Sequence, residues 1–577
     1  MTTPMRFLRT VRSLGMRQVV TRAMRIAERS WWRATRAAAP SAPAVTLRAH
    51  EPLWRALPED PRAIERAAEV ITGRFTFLGE TRGCSWVATD ASHLWRFHLH
   101  YFDYARDLAV FALHRDRASA YEAFRDLAAS WIDAHQRLGG DAWHPYTISL
   151  RIVNWCEAAL VFRSELERDT DFAARLYASI AAQAQFLSRH IEHDVRGNHV
   201  LENARALMRG AMFFEGDAPR NWRRIAFELL KREIPEQILD DGGHFERAPG
   251  YHLRVTEVLT DIAVLAPETS IKSAVERMRA FLNVITPSNG RLPLLKDTVL
   301  PDAPVSIDTP QTSRWLESSG YAVIRDDARG DHLIADFGRV CPDYLPAHAH
   351  ADMFSYELTI GGRPAIVDSG VFEYAEGKWR TWFRSTAAHN TVDINGRDQS
   401  EMWGSFRVGR RAHVIRASWY ETPGMTSIDG IHDGYAPLHH RRVIIALHEP
   451  RLWIVLDRVD GKPEHVARSF IHLHPARPQL AFTPLGALTV SDTSGWYSEH
   501  FGVKQTNRVI TLTATTPAWF GYAISANDTP PRATMIESNE GVAIEIATAT
   551  WQGEVQIGNG VTLTREPPLT LTLSPRR

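Results

Sequence analysis

The periodicity of this chain changes once, near residue 310, and that switch constrains its fold more than any other feature. Before it, AYEAFRDLAASWIDAHQRL (120–138), ISLRIVNWCEAALVFRSEL (148–166), DFAARLYASIAAQAQFLSRHI (171–191), NWRRIAFELLKREIPEQIL (221–239) and HLRVTEVLTDIAVLA (252–266) repeat apolar residues at three- and four-residue spacing, the pattern of amphipathic helices. Short loops join them, so neighbours are expected to pack antiparallel. PDAPVSIDTPQT (301–312) then breaks the pattern with three prolines. Strand-like runs follow: YAVIRD, HLIADF, RRVIIALHE, RLWIVLDRV, ARSFIHL, VITLTAT, AIEIATA and LTLTL. Helices followed by strands segregate into separate layers. The expected fold is multidomain α+β: an Arg-rich leader helix or linker over 1–50, a helical domain over 51–310 and an antiparallel β-sandwich over 311–577. Whether the paired helices close into an incomplete ring is not readable from their spacing.

With 577 residues, 44% of them hydrophobic, the chain can bury large cores, and length alone suggests two to four domains. Its 67 basic and 67 acidic residues cancel, so no global field calls for nucleic acid as a partner. Three cysteines without a CxxC pair argue against a disulfide framework or a thiolate zinc site. No apolar run is long enough to span a membrane.

The first 40 residues carry nine arginines, no lysine and one acid, Glu28. They form no signal-peptide core or cleavage site, so a cytoplasmic or peripherally membrane-associated protein is expected, with the bacterial periplasm left open. This leader reads equally as a basic amphipathic helix on an anionic membrane or a partner protein, or as a solvated helix packed on the rest of the molecule.

Chemistry-bearing residues gather in three segments. Between Pro346 and Asn390, His350, Asp368 and His389 are the ligand types a zinc ion prefers, and two imidazoles with one carboxylate leave a coordination position open. His348 lies two residues before His350 and shares its face if the segment is a strand. With 25 histidines in the chain, some also fall near an aspartate by chance. In RGNHVLENARALMRGAMFF, Gly197, Asn198 and His199 open a helix; Asn198 reads as a cap as well as a catalytic amide, and Glu202 is placed to orient His199. DDGGHFERAPGYHLRVTEVL carries Glu246, Tyr251 and His252 on a glycine–proline loop, where a tyrosine either packs or relays a proton. Upstream, HLHYFDY (98–104) and WHPYTISLR (143–151) supply Tyr101, Trp143 and Arg151, suited to lining sugar subsites or to knitting the helical core, and Glu202 and Glu246 join them as candidate substrate-binding residues. Together the three segments hold the groups needed to abstract a proton alpha to a carboxylate.

Over roughly residues 80–470 the chain resembles the heparinase II/III-type polysaccharide lyases, a family that includes heparan-sulfate, heparin and oligoalginate lyases. The resemblance rests on Asn198-His199 with Glu202, on the Glu246–His252 loop with Tyr251, and most specifically on His348-Ala-His350-Ala-Asp352, Asp368-Ser-Gly and Arg384-Ser-Thr-Ala-Ala-His389-Asn390. It implies an N-terminal (α/α) toroid, a C-terminal β-sandwich and an active site between them. It also implies roles: Asn198 and His199 neutralise a uronate carboxylate, Tyr251 is Brønsted acid and can serve as base, His348 is the other base, and His350, Asp368 and His389 hold zinc. The substrate would be a uronate-containing polysaccharide or oligosaccharide, cut by β-elimination. Exported family members degrade external polysaccharide; lacking a signal, this chain looks more like the intracellular or membrane-adjacent members that accompany capsule or exopolysaccharide synthesis.

Two rival readings remain at this stage. A glycoside hydrolase on the same toroid would need two carboxyl groups flanking the bond, and Glu202 with Glu246 are the candidates. A non-catalytic glycan-binding scaffold tethered by the leader is the other.

Overall fold

The computed structural model describes residues 3–48, 56–308, 311–461, 465–477, 479–527, 529–538, 541–548, 551–558 and 560–565. The boundaries expected at residues 50 and 310 and the LTLTL run at 569–573 lie outside the described residues. Of the fourteen α-helices described, thirteen end by residue 285, and strands dominate from Arg314 onward.

The helical half is a set of antiparallel pairs around one core. Helix Pro145–Val161 and helix Asn198–Phe213 run through its middle and are buried on nearly every side, as befits helices that are apolar or small-residued all round. Outer helices start on side-chain caps: Asp116 accepts from the Ala118 and Ser119 N–H groups at Arg117–Ala134, and Asp169 accepts from Phe172 at Thr170–Arg189.

The sandwich has three layers rather than two. A five-stranded sheet (residues 314–366) and a four-stranded sheet (Val392–Ile394, Val466–His472, Val503–Thr515, Thr489–His500) cover one face of a six-stranded sheet built on Met425–Tyr435, Leu438–Leu447 and Leu452–Val459. The C-terminal meander, residues 532–565, covers its other face. VIIAL (443–447) is therefore an unbroken apolar run because both faces are interior: Ile444 and Ala446 pack with Leu333 and Tyr356, while Val443 and Ile445 pack with Ile544 and Val555.

The linker over residues 292–298 joins the two halves and is itself buried. Lys296 inserts its ammonium between Asp336 (2.6 Å) and Asp352 (3.0 Å), pinning the linker to the sandwich. The leader forms helices Thr3–Arg12 and Met16–Thr35 and is packed on the body. Arg6 and Arg9 pair with Glu401 of the sandwich, Gln18 Nε2 donates to the Tyr344 carbonyl, and Trp32 packs on Phe186 and His190 of the toroid. Among the described residues, no helix is long and apolar enough to cross a membrane.

Candidate active site

Side chains from the toroid, the linker and the sandwich meet at the seam. Helix Pro249–Leu265 begins on the Ala248-Pro249 turn and presents Tyr251 in its first turn, where the ring stacks on His348 with centroids 3.6 Å apart and planes at 23°. The phenol oxygen lies 3.1 Å from the hydroxyl of Tyr374. Burial, with the Tyr374 hydroxyl and Asp297 nearby, pushes the Tyr251 phenol well above its usual 10, so it is a stored proton at neutral pH.

His348 and His350 do not share a strand face as predicted. They lie in an irregular loop between strands Asp331–Asp336 and Tyr356–Ile360, and both reach the linker residue Asp297. His348 Nδ1 is 3.0 Å from Asp297 Oδ2, and His350 Nε2 is 2.8 Å from Oδ1. Arg380 donates to the same carboxylate, Nη2 to Oδ2 at 2.8 Å. Burial would raise the Asp297 carboxyl, but Arg380 and the two imidazoles hold it well below the usual range. An ionised carboxylate accepts only, so His348 Nδ1 carries a proton, while Nε2 faces Glu246 Oε2 at 3.5 Å. Nε2 is thus the ring nitrogen left to face the seam.

The second cluster opens helix Asn198–Phe213. Asn198 is not its cap: Gly197 holds that position at φ 58°, and Asn198 is the buried first residue of the helix. A Cβ at 197 would sit 2.6 Å from Leu345 Cδ2 and 2.7 Å from Glu246 Oε1, so glycine lets the helix start come against the sandwich loop. His199 is oriented by Glu192, Nδ1 to Oε1 at 3.0 Å, and lies on the Tyr146 ring at 4.1 Å. Burial pulls the imidazole down, yet Glu192, with Glu246 and Glu202 further off, outweighs it and the net shift is upward. The upward shift favours the imidazolium form of His199, and Glu246 is near enough to feel both His199 and His348.

Glu202 does not orient His199. Its carboxylate is held by Arg254 (2.7 Å) and Arg205 (3.2 Å). Glu246 is buried, and burial pushes its carboxyl up against the opposing pull of His348 and His199. Two predicted subsites prove to be core. Trp143 is buried against Trp131 and Phe186 with Nε1 donating to the His135 carbonyl, and Arg151 is fully buried, bonded to Gln183, the His100 carbonyl and the Ala142 carbonyl. Tyr101 borders the site, edge-on to Tyr146 at 5.7 Å, but is itself 6% exposed.

The candidate metal ligands divide. His350 and His389 rings lie 5.1 Å apart, and His350 Nδ1 and His389 Nε2 are buried without a hydrogen-bond partner, as atoms that await a cation would be. Asp368 is engaged by His389 Nδ1 at 2.8 Å and by the Gly370 N–H. Among the described residues no three His, Cys, Asp or Glu side chains converge as a metal site, so the two nitrogens fit an ion and the carboxylate, as placed, orients one of them.

Five site residues escaped the sequence reading: Glu192, Arg254, Asp297, Tyr374 and Arg380. Arg254 follows Tyr251 by one helical turn and so was within reach of periodicity. Asp297 sits in an unremarkable LLKDT, and nothing local marks it.

A helical toroid abutting a layered β-sandwich, with Tyr251, His348 and His199 near the seam, defines a class of two-domain folds. The Heparinase II/III N-terminus matches residues 74–304 and the Heparinase II/III-like C-terminal domain matches 308–549; the chain belongs to the heparinase II/III family. Curated relatives include the heparin-sulfate lyases of Pedobacter heparinus, 22% identical over 56% of this chain and 52% of the relative, and of Bacteroides stercoris, 22% identical over 59% and 54%. The chain thus spans about half the length of the curated relatives it matches. Among solved structures, heparinase III superposes with a TM-score of 0.70 over 94% of both chains at 16% identity. Heparan sulfate lyase HepC from Pedobacter heparinus gives 0.59 over 90% of this chain and 91% of that one at 17%. These likenesses support the toroid-plus-sandwich architecture.

Proposed function

We propose that this protein is a polysaccharide lyase that cuts a uronate-containing glycan by β-elimination. The observation that carries the reading is the stacked Tyr251–His348 pair, a protonated phenol against an imidazole whose Nδ1 is bound to Asp297 so that Nε2 is the nitrogen left to take a proton. His199, as imidazolium, and the Asn198 amide neutralise the uronate carboxylate, which lowers the cost of charge building at C5. His348 takes the C5 proton, the electron pair forms the C4–C5 double bond, the C4–O bond breaks, and Tyr251 delivers its proton to the leaving oxygen. Tyr374 positions the Tyr251 hydroxyl.

The hydrolase alternative is disfavoured because Glu202 is locked between two arginines and cannot serve as a free acid or base. The test is to incubate the full chain with a panel of uronate polymers, starting with heparan sulfate. Products absorbing as unsaturated uronates support the proposal. Chain scission without that absorbance would make it a hydrolase, and binding without scission a scaffold.

For the metal, we propose a zinc or similar divalent ion held by His350 and His389, with Asp368 orienting His389, supported by the two orphaned imidazole nitrogens. Bound there it would supply a rigid cross-link between the 345–354 loop and the Thr386–Ala388 turn. Elemental analysis of wild type should find about one ion per chain, and His350→Ala should lose it and melt earlier. A metal-free wild type overturns the site. We also propose that residues 1–40 contact a membrane or a partner protein, supported by their charge and by the apolar side chains they leave in solvent.

A further inference from the structure

The helix Met16–Thr35 has two opposed faces. One is docked: Gln18 and Trp32 are buried, Arg25 Nη2 donates to the Ile191 carbonyl at 3.2 Å, and Glu28 Oε1 lies 3.0 Å from His190 Nε2. At about 100° per residue, these four fall on one narrow arc. On the opposite side, Met16 (79% exposed), Val20, Met24 and Trp31 (60%) share about 80° of arc, and Val19 and Ile26 widen it to about 160°. Of the nineteen large apolar side chains exposed among the described residues, nine lie between Met5 and Trp31. Concentration of that kind marks an interaction surface, since scattered exposure would spread over the whole molecule.

The edges of the arc identify the partner. Arg17 borders one side; Arg22, Arg29 and Arg33 border the other, all exposed and without a salt bridge among the described residues. Guanidinium groups at both margins of an apolar face let their stems lie along lipid while their charges reach phosphate. A partner protein would have to bring acidic rims on both sides, whereas an anionic bilayer has them everywhere.

We propose that helix Met16–Thr35 seats the protein on an anionic membrane surface, apolar arc inserted and arginines among the headgroups. This rests on the contact proposed for residues 1–40 and names its partner and its geometry. The docked face carries a consequence. Gln18 holds the carbonyl of Tyr344, and the next residue, Leu345, packs on Gly197 at the start of the helix that bears Asn198 and His199. Lipid binding therefore fastens the enzyme by an element that touches both domains directly behind the seam, and the cleft is held against the membrane at a fixed attitude.

Flotation of the full chain with phosphatidylglycerol-containing vesicles and with phosphatidylcholine vesicles tests this. Binding is expected to the first set, to weaken with salt, and to fall about fivefold for each of Arg22→Gln, Arg29→Gln and Arg33→Gln. Met24→Glu with Trp31→Glu should abolish it with melting temperature and turnover on soluble polymer unchanged, because both side chains point away from the body. Equal recovery of wild type and the double variant would overturn the proposal. So would a dimer in light scattering that the double variant dissolves, which would assign the arc to a second copy. Neither outcome touches the lyase reading, which stands or falls on the unsaturated product.

Discussion

At the scale of single residues, each titratable group of the seam is paired with one that orients it or shifts its proton. Asp297 fixes the tautomer of His348, Tyr374 receives or gives a hydrogen bond at Tyr251, and Glu192 charges His199. Tyr251→Phe removes the stored proton while leaving the ring on His348, so turnover should fall by about 10² to 10⁴ with the melting temperature unchanged. Turnover near wild type would remove Tyr251 from the chemistry. The His199–Glu192 pair adds a pH dependence of definite sign. The folded imidazole titrates above its ordinary 6.5, so the cation needed for carboxylate neutralisation persists through that pH and is lost as pH rises through the raised value. Glu192→Gln removes the carboxylate responsible, and the alkaline limb of the kcat/KM profile should move to lower pH. An unmoved limb would mean that another group controls it.

At the scale of elements, the helix Pro145–Val161 shows why an arginine near aromatic residues need not face a ligand. Arg151 looked like a carboxylate binder because WHPYTISLR also carries aromatics and a proline turn. In the fold its guanidinium lies 3.9 Å over the Trp131 ring and bonds two carbonyls and Gln183. It ties two helical pairs together from within. Arg151→Ala leaves those acceptors unsatisfied and opens a cavity, which should cost about 3 kcal/mol or more. Thermal denaturation reads that loss, and a variant of normal stability with a raised KM would return Arg151 to the substrate. The loop carrying His348 and His350 teaches the complementary point: alternating residues suggested a strand, but burial of two imidazoles beside Asp297 and Arg380 favours an irregular path that lets both reach one carboxylate.

At the scale of the whole molecule, the leader is a strap across both domains, with Arg6 and Arg9 on Glu401 at one end and Trp32 on Phe186 at the other. Deleting residues 1–35 should lower the melting temperature by about 2 °C or more as well as release the protein from vesicles. Unchanged melting would show that the strap contributes nothing to domain docking. Much of the architecture was legible in the sequence, because helical and strand periods are local consequences of which face is buried: the five helical runs and strands such as YAVIRD appear where the pattern put them. Tyr251, His348 and the Asn198–His199 pair were legible because they sit in motif-bearing segments. Asp297, Tyr374 and Glu192 were not, since each acts through a partner 7 to 123 residues away that no local pattern names. The sequence by itself determined the elements, their order and the segregation of helix from strand. Tertiary structure alone decided which ionisable groups share a low-dielectric seam, and there a neighbouring carboxylate fixes the Nδ1 proton of His348 and shifts the His199 imidazole upward.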